Sequence, residues 1–276
     1  MRTPRIPNVS AVLFTLALVA FLYPAAAPRA ADITFAVQPI LDEEATRKAF
    51  QPLADYIARA TGKSVELKTS YDYAEYWLKM KQGQEFDLIL DAPFYTDYRI
   101  QHQGHVPLVK VPGLVSYSLI APSIAGVFDA TELIGKKIAT LIPPAPGGLV
   151  MARMFPNPSR QPYIVPVKSS EQAMELLLQG RVDAAVVPTP LVAKAMGEGK
   201  DIATITTSPQ TPHISLTAWS SSVDAETRAK ISQALLDAGK TPAGKQMLRQ
   251  IGFPEGFEAA TKETYHGYSD YLTQRW

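Results

Sequence analysis

Short apolar runs that alternate with stretches of helical periodicity constrain this chain more than any other feature. Ile33–Val37, Val65–Leu67 and Asp87–Leu90, followed later by Lys137–Ile142, Tyr163–Val167, Asp183–Val187 and Ala203–Thr206, read as strands. Between them apolar residues recur every three or four positions, as in Pro52–Ala60, where Leu53, Ala54, Ile57 and Ala58 share a face. Further helices are expected over Tyr73–Gln82 and near 148–155, 170–179 and 189–196. A strand needs a helical crossover before it can meet a parallel neighbour, so this alternation predicts an α/β protein with mostly parallel strands.

Punctuation supports the helices. Pro52 suits a first turn and Gly62 a stop; Ser169 and Gln172 have capping-box spacing, and Gly180 offers a left-handed exit. One junction occurs twice: Gln82-Gly83 leads to Asp87 at a strand start, and Gln179-Gly180 leads to Asp183 at another. We read the two as equivalent places in two similar lobes. The extended stretches Val109–Ala121 and Pro209–Ser220 would cross between the lobes, and helices over Asp224–Leu236 and Thr241–Gln250 would return to the first. The expected division is 1–31 leader, 32–113 lobe 1, 114–213 lobe 2 and 214–276 the rest of lobe 1. Two lobes joined by two strands enclose a cleft above a hinge, and 276 residues suffice for two cores.

The leader carries Arg2 and Arg5, then a 13-residue apolar run from Ala11 to Tyr23, then small residues from Ala25 to Ala31. This is the pattern of a secretory signal, too short for a membrane span, and it predicts a soluble protein exported to the periplasm. The cleavage bond stays open between the Ala25–Ala27 and Ala30–Ala31 sites. With 27 basic and 26 acidic residues the formal charge is +1, which gives no basic footprint for nucleic acid. Zero cysteines exclude disulfides, thiolate metal sites and a Cys nucleophile.

Catalytic motifs are absent: no nucleophile elbow, phosphate loop, dinucleotide fingerprint or zinc-protease helix occurs. No enzyme activity, cofactor or metal is expected. The pair His102 and His105 lies in a helix-ending loop without a third ligand, so it reads as a solvated loop. The ligand candidates lie instead where loops leave strand C-termini, around the crevice of an open α/β sheet. Tyr73, in the aromatic cluster Tyr71–Trp77, either touches ligand or packs on its lobe. Asp91 either caps the next helix or faces the cleft, where it would accept from a hydroxyl or ammonium and repel an anion. The Pro143–Gly148 turn aims backbone N–H groups of Gly147 and Gly148 at the crevice as an anion site. His213, in the second crossover, is either satisfied locally or faces the cleft. Tyr117 in the first crossover, Ser170 and Thr189 complete the candidate set.

Over nearly the whole body the chain resembles the periplasmic phosphonate-binding family of ABC-importer solute-binding proteins. The resemblance is carried by Phe50–Ile57, Asp72–Ala74, Phe86–Leu90 before Ala92-Pro93, Glu132–Ala139, Gly180–Ala185 and Thr241–Gly252, in that order. It implies a two-lobed type II binding-protein fold, a small ligand between the lobes, and delivery by a monomer to a membrane permease with its ATPase. It also implies site positions. The family's tyrosine falls on Tyr73, and its hydroxyl-bearing turn falls on Ala145-Pro146-Gly147-Gly148, where no hydroxyl remains. A second tyrosine falls near Asp91, a histidine near Ser170 and an acid near Ile214. Family membership thus points to phosphate, phosphite or phosphonate. The altered turn points to a neutral or apolar, lipid-like ligand, and a sensor kinase is the alternative partner.

Overall fold

The computed structural model describes residues 31–83 and 86–273. All of the proposed leader except Ala31 lies outside the described residues, as do the last three positions of the chain. No helix among the described residues is long and apolar enough to cross a membrane.

The chain first lays down β1 (Ile33–Val37), α1 (Glu43–Thr61), β2 (Val65–Lys68), α2 (Tyr73–Gln82), β3 (Leu88–Asp91), α3 (Pro93–His102) and β4 (His105–Lys110). It passes through β5 (Leu114–Val115) into β6 (Tyr117–Pro122), β7 (Lys137–Thr140), α4 (Pro146–Met154), β8 (Tyr163–Pro166), α5 (Ser170–Leu178), β9 (Ala184–Pro188), α6 (Thr189–Gly197) and β10 (Ile202–Thr207). It returns through β11 (Thr211–Pro212) to β12 (Ser215–Trp219), α7 (Ala225–Leu236), α8 (Pro242–Gln250), β13 (Glu258–Ala259), α9 (Lys262–Tyr265) and α10 (Asp270–Thr273).

Two mixed sheets result, in the orders β13-β4-β12-β3-β1-β2 and β10-β6-β9-β7-β8. They share one plan. Each has a parallel core, β2-β1-β3 or β8-β7-β9, extended by an antiparallel strand that enters from the other sheet. The two connections run side by side, with β5 and β11 paired antiparallel as a short ribbon. The repeated Gly–Asp junction performs the same task in each sheet. Asp87 Oδ2 accepts from the Thr34 N–H at 2.7 Å, and Asp183 Oδ2 accepts from the Lys137 N–H at 2.7 Å. Each carboxylate thereby clamps the start of the third parallel strand to the start of the first.

Two local expectations are corrected. α1 begins at Glu43, nine residues before Pro52, because Asp42 caps it by accepting from the Ala45 N–H at 2.8 Å and Glu43 and Glu44 complement its positive end. Pro52 therefore sits inside the helix, which tolerates the missing N–H because Phe50, Leu53, Ala54 and Ile57 bury its apolar stripe. The Ser169–Gln172 box is half made: Ser169 accepts from the Gln172 N–H, but the Gln172 carbonyl accepts from Lys168 instead of Ser169. Gly62 and Gly180 do close their helices at positive φ, 71° and 67°.

The large core of the first sheet lies between β1, β3, β12 and helices α1, α7 and α8. A different apolar cluster gathers Tyr73, Tyr76, Phe94 and Tyr95 from α2 and α3 with Ala145, just before α4, and Leu149 and Val150 within it, so it joins the two lobes. α10 adds to the same seam. The Tyr271 ring lies 4.5 Å from the Phe94 ring, and the Arg153 guanidinium of α4 stands 3.4 Å over its face.

Gly244 tests the packing of α8. A Cβ built there would lie 2.1 Å from the Ala238 carbonyl oxygen, so backbone must move to admit it. Gly244→Ala should cost about 1–3 kcal/mol and lower the Tm by several degrees in a thermal melt. An unchanged Tm would show that the α7–α8 turn yields freely.

Candidate functional site

The C-terminal ends of the parallel strands in both sheets point toward the crossovers. Asp91 closes β3 opposite Ser215, the first residue of β12 after the second crossover. Tyr117 opens β6 opposite Pro188, the last residue of β9. The loops between these strand ends and their helices therefore face one another, and Tyr95 makes the contact: its hydroxyl donates to the Pro144 carbonyl at 2.5 Å.

On the first lobe's side, Asp72 caps α2 by accepting from the Glu75 N–H at 2.8 Å, which sets Tyr73 at its first position. Tyr73 is 8% exposed, and its ring stacks 6.3 Å from that of Tyr95, which Tyr76 meets edge-on at 5.5 Å and Trp77 at 5.9 Å. On the second lobe's side, α4 starts at Pro146 after Ala145, which has no side-chain group to cap it. Gly147 and Gly148 are buried there. A Cβ on Gly147 would lie 3.6 Å from the Tyr117 ring and 3.4 Å from Thr140 Oγ1, so Tyr117 leans over the turn. A Cβ on Gly148 would lie 2.4 Å from the Pro143 nitrogen, so only glycine fits.

Burial raises the Tyr73, Tyr95 and Tyr117 hydroxyls above their ordinary value, so all three remain donors at neutral pH. Tyr95 spends its proton on Pro144. The Tyr73 and Tyr117 hydroxyls have no hydrogen-bond partner among the described residues, and neither is a sealed, orphaned atom. The N–H groups of Gly147 and Gly148, in the first turn of α4, have no intrahelical acceptor to reach.

Beneath this surface lies a charged network that corrects both expectations for Asp91. The cap position of α3 is Ala92, not Asp91. Nor is the carboxylate a free acceptor in the cleft. It is wholly buried and held by Arg99, also wholly buried, through Nη1 at 2.6 Å and Nη2 at 2.5 Å. The Tyr76 hydroxyl donates to Oδ2 at 2.6 Å, and Thr96 Oγ1 lies 3.0 Å from Oδ1. Burial alone would lower the Arg99 guanidinium, but the adjacent Asp91 holds it above its ordinary value. The expected repulsion of an anion by Asp91 is therefore offset at its source.

The other expected residues are placed variously. Thr189 starts α6, but its hydroxyl already joins Ser116 at 2.8 Å and Ser118 at 2.9 Å. Ser170 opens α5 on the same edge of the second sheet. His213 accepts from the Ile214 N–H at 2.8 Å through Nδ1 and lies 6.0 Å from Phe253; burial, then Lys110, lowers it to about 4. His102 and His105 diverge: His102 packs on Tyr98 at 4.7 Å, whereas His105 is buried with Nδ1 3.2 Å from Thr217 Oγ1. No group of three metal-ligating side chains occurs among the described residues. The sequence reading missed Tyr95, Tyr76 and Arg99. A cation on the buried face of α3, one turn beyond Tyr95 and Thr96, was the available signal for a buried acid.

Arg99→Met should cost about 3–5 kcal/mol in urea unfolding, because it leaves Asp91 buried without a counter-charge. Adding Asp91→Leu should recover more than half of that loss; a double variant no better than the single would mean that the pair is not the unit. His105 sets a pH dependence. Burial, reinforced by Arg99, lowers it from 6.5 to about 2, so between those values the unfolded chain binds a proton that the folded chain refuses. Its contribution erodes stability as pH falls below 6.5, by up to about 1.4 kcal/mol per pH unit. His105→Leu should flatten the stability profile from pH 6.5 to 4, and parallel profiles would contradict the assignment.

The chain matches a family model described as ABC transporter, phosphonate, periplasmic substrate-binding protein over residues 35–265. No curated protein matches the sequence closely enough to count as a relative. Among solved structures, PhnD1 from Prochlorococcus marinus in complex with methylphosphonate is similar with a TM-score of 0.72 at 10% identity, covering 87% of this chain and 96% of that one. A binding-protein component of an ABC phosphonate transporter from Pseudomonas aeruginosa gives 0.68 at 16% identity, with coverage of 84% and 82%. The GluR0 ligand-binding core from Nostoc punctiforme in complex with L-glutamate gives 0.55 at 17% identity, with coverage of 80% and 100%. These likenesses show the type II periplasmic binding protein fold. With the family model spanning most of its length, the chain belongs to the phosphonate-binding family of periplasmic ABC-transporter substrate-binding proteins, which bind a substrate without transforming it.

Proposed function

We propose that this chain captures a small oxyanion-bearing solute of the phosphonate, phosphite or phosphate type in the cleft between its lobes. Lobe 1 comprises 32–113 with 214–276, lobe 2 comprises 114–213, and closure bends the β5–β11 ribbon. The observation that carries the reading is the set of unspent donors at the cleft: the hydroxyls of Tyr73 and Tyr117 and the amides of Gly147 and Gly148. In this reading the leader 1–31 exports the protein, which then works as a monomer in the periplasm and hands its solute to an inner-membrane permease and ATPase. The remaining candidates, Ser170, Thr189, Asp91 and His213, act around these donors rather than through charges of their own. A neutral ligand is the second reading, favoured by the aromatic wall of Tyr73, Tyr95 and Trp77.

Calorimetry on the purified protein with methylphosphonate tests this. With four neutral donors and no hydroxyl in the α4 turn, the Kd should lie above about 100 µM. Tyr73→Phe and Tyr117→Phe should each weaken binding about tenfold, the value of one hydrogen bond to a charged acceptor, with Tm unchanged. Binding that survives both substitutions unaltered would place the ligand elsewhere.

A further inference from the structure

Charge is scarce where the donors converge. The hydroxyl of Tyr73, a residue more than nine-tenths buried, has no partner among the described residues, and Tyr117 leans over a turn whose side chains are Ala145 and Pro146. Arg99 acts on Tyr95, and Asp91 engages both of its Nη atoms. Arg153 of α4 lies over the Tyr271 ring at 3.4 Å and Lys81 of α2 over the Trp77 ring at 5.5 Å. Arg47, near the β2 end, is spent on the Leu67 carbonyl and Thr69 Oγ1 at 3.1 and 3.0 Å. Asp72, beside Tyr73, adds a negative charge. Among the described residues, Arg47, Lys81, Arg99 and Arg153 are each engaged by another group, so a ligand at these donors meets dipoles and hydroxyls first.

Resting on the proposed cleft reading, we propose that this protein selects its oxyanion in the singly charged form and rejects the doubly charged one. Two amides and two hydroxyls match the two charge-sharing oxygens of a monoanion, those neither protonated nor esterified, each of which takes two hydrogen bonds. A dianion presents a third charged oxygen, for which no donor remains. Its second charge would be desolvated without a cation, the costly case for any buried ion. Selection by ionisation state also separates chemical classes: phosphonate monoesters and phosphodiesters carry one charge at every physiological pH, whereas simple phosphonates and phosphate monoesters can lose a second proton in or near the neutral range.

Calorimetry on the full chain with three probes decides this. Methylphosphonate is titrated at about pH 5, where it carries one charge, and at about pH 9, where it carries two, its second proton leaving in between as that of phosphate esters does near pH 6. Its monomethyl ester keeps one charge at both, and dimethyl methylphosphonate has none. We expect methylphosphonate to bind at least tenfold more tightly at the lower pH, the monoester to bind equally at both, and the neutral diester to bind at least tenfold more weakly than the monoester. The monoester also controls for titration of the protein itself. Methylphosphonate binding equally or more tightly at the higher pH would overturn the charge rule while leaving the cleft reading intact. A diester as tight as the monoester would overturn the rule in favour of a neutral site. Silence from all three probes would overturn the cleft reading and the rule together. Tyr117→Phe should weaken the monoester and leave the pH ratio of methylphosphonate in place, and loss of that ratio would assign the discrimination to Tyr117 alone.

Discussion

An ion pair sealed from water must be satisfied from within, and the Asp91–Arg99 pair draws much of the first lobe into doing so. Tyr76 comes from α2, Thr96 and Arg99 from α3, and Ser215 and Thr217 from β12. These elements are the ones that carry the cleft surface. Tyr76 is tied to Asp91 through its hydroxyl, and its ring holds Tyr95, which in turn reaches Pro144 in the other lobe. The network thus converts an electrostatic requirement into a fixed position for an aromatic wall. It also ties a carboxylate and a guanidinium to each other, so that neither is left to give the cleft a sign.

The two lobes repeat one another where the physics is the same. In both, a glycine ends a helix, an aspartate clamps a parallel strand to its neighbour, and the next loop opens at the hinge. They differ where the ligand would sit. The first lobe contributes rings and hydroxyls on the starts of α2 and α3, and the second contributes bare backbone at the start of α4. Gly148 marks that division. At this position the turn is packed so closely on Leu141–Pro143 that no side chain could be added.

Much of this plan was legible in the sequence because it rests on local signals. Strand runs, glycine stops and the repeated junction place the sheets and their crossovers, and Tyr73, Gly147 and Gly148 follow from their position after strands. The start of α1 was misread because Pro52 is a louder signal than the acids at 42–44, although the acids govern. Asp91 could not be settled from sequence. Its partner Arg99 sits two helical turns away and Ser215 more than a hundred residues away, so its burial is a tertiary fact. Trp77 and Tyr98 likewise met at 4.9 Å only through the packing of α2 on α3.

The short α10 helix has a practical meaning of its own. Tyr271 is wedged between Phe94 of one lobe and Arg153 of the other, while its neighbours Asp270 and Thr273 are exposed. Any change in the angle between the lobes must alter the surroundings of that ring. An environment-sensitive fluorophore attached at Asp270 or Thr273 would therefore sit at the moving seam yet outside the cleft, and would turn this protein into an optical reporter for its own solute.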